Sequence, residues 1–420
     1  MRNFFINSKN IARDSYIWNM TGSMLNAFQS VIMLMIITRA VNLYEAGLFT
    51  IAYANANLFL TIGRYGMHNY QVSDVNKQYT FREYFVSRII TTILMAAISV
   101  LYVLYVSHTN SYTSEKSWII IWMCALKLID SIEDVYYAMY QQNHRLDISG
   151  KCMTIRMIFT IIVFGMGLII YKRLLPALIV ATITSAIAAM IFIHITYEDY
   201  KNSEHRVKAK NILSLLKVCF PLFLGTFLAF YIGNAPKYAI DSILNEELQA
   251  CYGFIAMPVF IIGVLNNFIF NPVVAKMSLM WNEGEIKGFC KMLRRQLFIV
   301  VGIIAACELG AFLLGIPVLS LLYNTDLTPY KTELLILLLG GGFLATSGLM
   351  VTIITIMRKQ TVLSIGYIIV SIVAFIASPI MVEKYSMMGA ACLYTVLMFA
   401  LCVMFGVPMV MEIRKKVNAP

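Results

Sequence analysis

Charge is scarce in this chain. Only 13% of its 420 residues are Asp, Glu, Lys or Arg, about half the share in a soluble domain. With 60% apolar residues and a mean hydropathy of +0.74, the chain cannot clothe a water-facing surface, and a polytopic membrane protein is expected. Soluble-enzyme signatures are missing too. His68, His108, His144, His194 and His205 show no paired metal spacing, and neither a P-loop nor a GxSxG elbow is present. The eight cysteines contain no CxxC and mostly lie in apolar runs, where Cys behaves as a small apolar residue. No cofactor is implied. The N-terminal MRNFFINSKN lacks a short apolar core with a small-residue cleavage site, so no removable signal peptide is expected. The net charge of +11 would suggest nucleic acid for a soluble protein. Here it is read as setting topology, with no nucleic-acid partner.

What is present in abundance is long apolar windows. Crossing ~30 Å of hydrocarbon takes roughly 20 apolar residues. Twelve such windows are found, at about 16–38, 44–63, 85–107, 117–138, 153–171, 174–194, 213–233, 250–270, 296–316, 332–357, 361–381 and 387–411. With the N-terminus in the cytoplasm, 25 of the 33 lysines and arginines fall in inside segments and seven outside, Lys127 being the last. That asymmetry follows the positive-inside rule. It predicts an all-α protein of twelve transmembrane helices with both termini cytoplasmic.

The most charged internal loop, YEDYKNSEHRVKAKN, divides the windows into six and six. The expected organisation is an N-terminal six-helix bundle (1–196), a cytoplasmic linker (197–212) and a C-terminal six-helix bundle (213–420), as in transporters built from repeats. YEAGLFTIAYANANLFL and CYGFIAMPVFIIGVLNN, after the first and seventh windows, form a weak internal match. Proline is nearly absent from the first half, where Pro176 stands alone among ten. Second-half prolines within or beside the windows predict bent helices there.

The fourth window, SWIIIWMCALKLIDSIEDVYYAMYQ, holds one lysine and three carboxylates. A central charge costs ~2.5–3.5 kcal/mol in a bilayer and so faces a protein interior or a watery cavity. At helical spacing, Lys127, Asp130, Asp134, Tyr137 and Gln141 fall within roughly 80° of one another. Lys127 and Asp130 are i, i+3 neighbours able to pair, either as a lock between helices or as a lumen-facing site. Glu133 lies off that stripe and is expected to snorkel to the cytoplasmic interface. Asn19, Ser23, Asn26 and Ser30 form a milder stripe on the first window, with further amides at Asn55, Asn57, Asn234, Asn266 and Asn267. Such amides by default bond helix to helix. Glu308 stands in the ninth window without a nearby cation, as a structural or ion-coupling carboxylate.

Arg64, Arg88, Arg145 and Arg156 sit at the cytoplasmic ends of windows two to five, as topology alone would place them. Turned inward, they would suit phosphate, which guanidinium groups grip with two bonds. Arg39 and Lys237 run against the topological bias, which marks them as candidate substrate contacts.

The segments IGRYGMHNYQVSDV, DVYYAMYQQNHRLDISGK and NAPKYAIDSIL resemble bacterial polysaccharide flippases of the Wzx type, within the multidrug/oligosaccharidyl-lipid/polysaccharide (MOP) exporter superfamily. The resemblance covers essentially the whole chain. It implies two six-helix bundles in a MATE-like V, working by alternating access in the bacterial cytoplasmic membrane. The implied substrate is an undecaprenyl-diphosphate-linked oligosaccharide repeat unit for capsule, O-antigen or wall polysaccharide. A proton or sodium would serve as coupling ion, and glycosyltransferases and a polymerase would share the pathway. By motif position it puts Arg64, His68, Arg145, Asn234 and Lys237 against the substrate. Mid-span arginines are lacking, so Lys127 is the one basic residue expected at mid-depth.

Two other readings stay open. An ion-coupled multidrug antiporter of the same superfamily would rely on Asp130 and Glu308 more than on Arg39 or Lys237, with Asp134 a further coupling or structural carboxylate. A polysaccharide polymerase or ligase would carry a large external catalytic loop, which is absent here. No catalytic residue is expected.

Overall fold

The computed structural model describes residues 2–74, 76–110, 112–197 and 207–417, without the side chains of residues 264–269, 271 and 272. Among these residues every regular element is a helix. The first unit carries α1 (Arg2–Ile6), α2 (Ile11–Ala40), α3 (Leu43–Arg64), α4 (Met67–Ser73), α5 (Phe81–Thr109), α6 (Ser114–Gln142), α7 (Leu146–Tyr171) and α8 (Leu174–Tyr197). Then come α9 (Ala209–Ile243), α10 (Glu246–Glu283), α11 (Ile286–Gly310), a π-helical turn (Ala311–Gly315), α12 (Ile316–Tyr323), α13 (Lys331–Ile356) and α14 (Gln360–Val417). Nine helical segments among the described residues are long and apolar enough to cross a membrane. The 29-residue α6 is not one of them, because its own charges depress its hydropathy. The 58-residue α14 is two helices in one, interrupted at Ser386 (φ 51°, ψ −132°).

The chain forms two compact units, Met1–Phe227 and Leu228–Pro420, so the division falls inside α9. Within the first unit, the start of α9 is tied to α5 and its approach. The Glu83 carboxylate accepts from Asn211 Nδ2 at 2.7 Å and the Lys208 amide at 3.3 Å, and the Tyr65 and Phe223 rings stack at 4.7 Å. Of the expected linker 197–212, residues 198–206 lie outside the described residues, as do the side chains of Asn266 and Asn267. In the second unit α13 packs against both α10 and α14.

Polar caps define where the first unit's helices begin. Asn10, Asn42 and Thr113 each accept the N3 amide of α2, α3 and α6, and Thr80 with Glu83 closes a capping box on α5. These helices start earlier than the apolar windows suggested, at 81 for α5 and 146 for α7. Arg88 and Arg156 therefore lie two to three turns inside their helices.

Two glycines set the geometry around α6. Gly66 (φ 67°) follows left-handed Tyr65 (φ 50°), and together they reverse the chain from α3 into α4. A side chain at Gly66 would also meet Leu222 Cβ at 2.7 Å. On α7, Gly150 lets α2 approach so closely that an added Cβ would stand 2.5 Å from the Asn19 nitrogen and 2.6 Å from the Trp18 carbonyl carbon. Gly150→Ala must push α2 and α7 apart against rigid backbone. A loss of about 1–3 kcal/mol is expected, read as a lowered Tm of the purified protein. An unchanged Tm would mean the helices are not packed this closely.

Candidate functional site

Asp130, Glu133 and Asp134 occupy positions i, i+3 and i+4 of α6, one side of a helix surrounded by neighbours. Ionised carboxylates out of water are expensive unless paired and hydrogen-bonded. Each of the three is met by a cation from another helix or from α6 itself. Asp130 holds Lys127 Nζ at 2.9 Å through one oxygen and Arg156 at 2.6 Å through the other. Arg156 Nε also lies 2.7 Å from Glu133 Oε2, an ionic contact without hydrogen-bond alignment. Asp134 binds Arg88 at 2.7 Å and His68 Nδ1 at 3.0 Å, with Arg64 Nε further off at 3.7 Å. Neutral partners complete the web. Lys127 donates to Gln29 of α2 at 3.2 Å, Arg88 to the Gly63 carbonyl of α3 at 2.7 Å, and Arg156 to Ser185 of α8 at 3.0 Å. His68 Nε2 lies 3.2 Å from Gln141 Oε1. One stretch of α6 thus ties together α2, α3, α4, α5, α7 and α8.

Beside this web lies a cavity of about 200 Å³ within the first unit. Its wall takes Asn19, Ser23 and Asn26 from α2, Arg64 and His68 from either side of the α3–α4 turn, the three carboxylates with Tyr137 and Gln141 from α6, and Ser149 and Arg156 from α7. The two polar stripes expected on the first and fourth windows face the same space. Four cations (Arg64, Arg88, Lys127 and Arg156) oppose three carboxylates, leaving one positive charge before His68 is counted. The cations differ in how far they are committed. Lys127, Arg88 and Arg156 are almost wholly buried and each donates to a carboxylate, although the Nε groups of Arg88 and Arg156 have no aligned hydrogen-bond partner among the described residues. The Arg64 side chain is 42% exposed and makes no hydrogen bond among the described residues, its Nε included. Arg64 is the guanidinium of this cavity with donors to offer.

The remaining candidates lie apart from that cavity. Lys127 pairs with Asp130 as its spacing allowed, yet it is buried behind the wall, with its ammonium 4.9 Å from the Tyr53 ring centre. It ties α6 to α2 rather than lining the space. Arg145 grips Asp147 at 2.9 and 3.0 Å and the Ile6 carbonyl at 2.5 Å, while Lys151 donates to Phe4 O and Ser8 Oγ, both at 2.8 Å. Its forked donors are spent holding the N-terminal segment onto α7. Arg39 is exposed in the last turn of α2, thirteen residues beyond Asn26, or about 20 Å along the helix. Asn234 and Lys237 belong to the second unit. Asn234 donates to its own helix at Phe230 O (3.0 Å), and Lys237 is half-buried without an ion-pair partner among the described residues. Glu308, also in the second unit, lies three residues before the π-helical turn, again without a cation partner among the described residues.

Two expectations are corrected. Glu133 does not snorkel: it is 1% exposed, because Arg156 meets it inside the bundle. Nor is Lys127 the one internal cation, since Arg88 and Arg156 reach the same network. A signal was available in the sequence: three carboxylates on one inward helix call for about as many cations from its neighbours.

Comparison with known proteins agrees with this architecture. The polysaccharide biosynthesis protein family matches residues 12–278. A capsular polysaccharide biosynthesis protein, CapF of Staphylococcus aureus, is 24% identical over 382 residues, covering 90% of this chain and 94% of that protein. Among solved structures, an inward-facing MATE-family multidrug transporter of the MOP superfamily superposes with a TM-score of 0.69 at 14% identity, over 98% of this chain and 100% of the other. The lipid II flippase MurJ in an inward closed conformation gives 0.69 at 16% identity, over 94% and 90%. An all-helical membrane chain with this fold, matched by the family profile over more than half its length, belongs to the polysaccharide biosynthesis protein family.

Proposed function

We propose that this protein moves an undecaprenyl-diphosphate-linked oligosaccharide repeat unit from the cytoplasmic to the outer leaflet of the bacterial cytoplasmic membrane, by alternating access between two bundles. The observation that carries the reading is a polar cavity inside a bundle of apolar helices, bordered by an ion-pair web with one cation in excess and lined by the half-exposed Arg64. A glycan headgroup cannot enter hydrocarbon because its hydroxyls would go unpaired. Asn19, Ser23, Asn26 and Gln141 supply substitute partners, and Arg64 supplies a forked donor for the headgroup's oxygens. No bond is made or broken, so the enzyme motifs absent from the sequence are not needed.

The topology proposed with it is twelve crossings with both termini cytoplasmic. The nine apolar segments, with the two arms of α14 taken separately, join α6 and α10 to make twelve. The charged α6 crosses because its carboxylates are paired within the bundle.

The antiporter reading is weaker on one point. A cationic drug would seek an unpaired carboxylate, whereas Asp130, Glu133 and Asp134 of the polar cavity each already hold a cation, which leaves that reading to Glu308 of the second unit.

Reconstitution into vesicles with a fluorescent lipid-linked oligosaccharide tests the proposal. Movement of label between leaflets, with the lipid chemically unchanged, is the expected result. Polymerised product, or exchange no faster than in protein-free vesicles, would sink it.

A further inference from the structure

A second and larger cavity, about 860 Å³, opens in the first unit where the start of α2 meets α4, the end of α6 and the start of α7. It is contiguous in its lining with the polar cavity, since Gln141 and Leu146 belong to both walls. The inner cavity's 200 Å³ falls below the ~300–1,000 Å³ of ordinary ligand pockets, whereas the outer one falls within it. The two differ in chemistry. Ile11, Ala12, Val72 and Leu146 give the outer space apolar walls, and its lining includes two basic side chains, Lys77 and His144, but no carboxylate. Both basic residues are exposed, and neither side chain has a hydrogen-bond or ion-pair partner among the described residues. Both also hold left-handed backbone, φ 49° and 58°, in the turns that lead into α5 and out of α6. Leu146 begins α7, so the start of this helix borders the same cavity, with Asp147 of its first turn held by Arg145.

We propose that this outer cavity seats the isoprenyl diphosphate portion of the substrate. Lys77 and His144 meet the phosphates at the rim, the apolar wall takes the first isoprene units, and the first sugar reaches past Gln141 into the inner cavity. The site rests on the lipid-linked reading given above, and it separates two tasks. Lys77 and His144 at the rim select a phosphorylated amphiphile, and the inner cavity reads the first sugar. Charge complementarity singles out this occupant. An uncharged lipid would leave Lys77 and the His144 ring donor unused, and free diphosphate would leave the apolar wall bare.

The test uses the full-length protein in nanodiscs of neutral lipid, with geranyl diphosphate as probe. The variants are Lys77→Asn with His144→Asn, because asparagine tolerates left-handed backbone while removing the ammonium and the imidazole. Lys77→Arg with His144→Arg keeps an N–H donor at both positions. The expected result is geranyl diphosphate affinity about tenfold or more weaker in the Asn pair and within about threefold of wild type in the Arg pair, with Tm unchanged in both. Inorganic diphosphate and geraniol should each bind at least about tenfold more weakly than geranyl diphosphate. Equal binding of geranyl diphosphate by the wild type and the Asn pair, in a protein that still flips lipid-linked oligosaccharide, would overturn the site and leave the flippase reading standing. Competition of phosphatidylglycerol nanodiscs at equal strength would overturn it in favour of a general anionic-lipid surface. A wild type that neither binds nor flips would overturn both.

Discussion

Arg156→Ala is expected to lower the stability of the first unit by about 3–5 kcal/mol, the usual cost of removing one partner from a buried ion pair. The guanidinium stands between two carboxylates, 2.6 Å from Asp130 and 2.7 Å from Glu133. Its removal leaves Asp130 with Lys127 alone and Glu133 with no cation among the described residues. Lys127→Met should cost less, because Asp130 keeps Arg156 and the methionine stem still fills the space beside Tyr53. Denaturant or thermal unfolding in detergent measures the order. If Arg156→Ala matches wild type, or Lys127→Met is the more damaging, the web around α6 is not arranged as described. Pairing Arg156→Gln with Glu133→Gln should recover part of the loss, since the isolated charge is what costs most.

Arg64→Ala is expected to do the reverse. Its nearest carboxylate contact is 3.7 Å away and the side chain is 42% exposed, so its loss should change stability by less than about 1 kcal/mol. Flipping of lipid-linked oligosaccharide in vesicles should fall by about tenfold or more, the equivalent of a lost charge-assisted hydrogen bond of about 1.5–3 kcal/mol. Arg64→Lys should restore only part of the rate, because a single ammonium cannot reproduce a two-pronged grip. A stable Arg64→Ala protein with wild-type transport would remove this residue from the substrate path. The two substitutions separate cations that hold the bundle together from the one free to meet a ligand, although both side chains line a single cavity.

The roles of these arginines could not be read from position in the chain. In sequence, Arg64, Arg88, Arg145 and Arg156 look alike, each at the edge of an apolar window. Folding sends them to different tasks. Arg145 is taken up by Asp147 and the N-terminal segment, Arg88 by Asp134 and Arg156 by two carboxylates, while Arg64 stays partly exposed with only a 3.7 Å ionic contact to Asp134. Glu133 was misplaced for the same reason, since its burial depends on a helix thirteen or more residues away in the chain.

By itself the sequence determined that this is an all-helical membrane protein and that α6 has an inward polar face. Both are local properties, because apolar length and 3.6-residue spacing need no partner to be recognised. The motif resemblance already pointed to the polysaccharide exporters. Only the tertiary structure decided that Lys127 is a tie between helices, that Arg64 and His68 flank one turn above Asp134, and that two cavities share a wall at Gln141. These outcomes rest on how closely α2, α3, α5, α7 and α8 approach α6. Such approach is set by glycines such as Gly150 and by charge pairing between helices distant in sequence, and neither leaves a periodic trace in the chain.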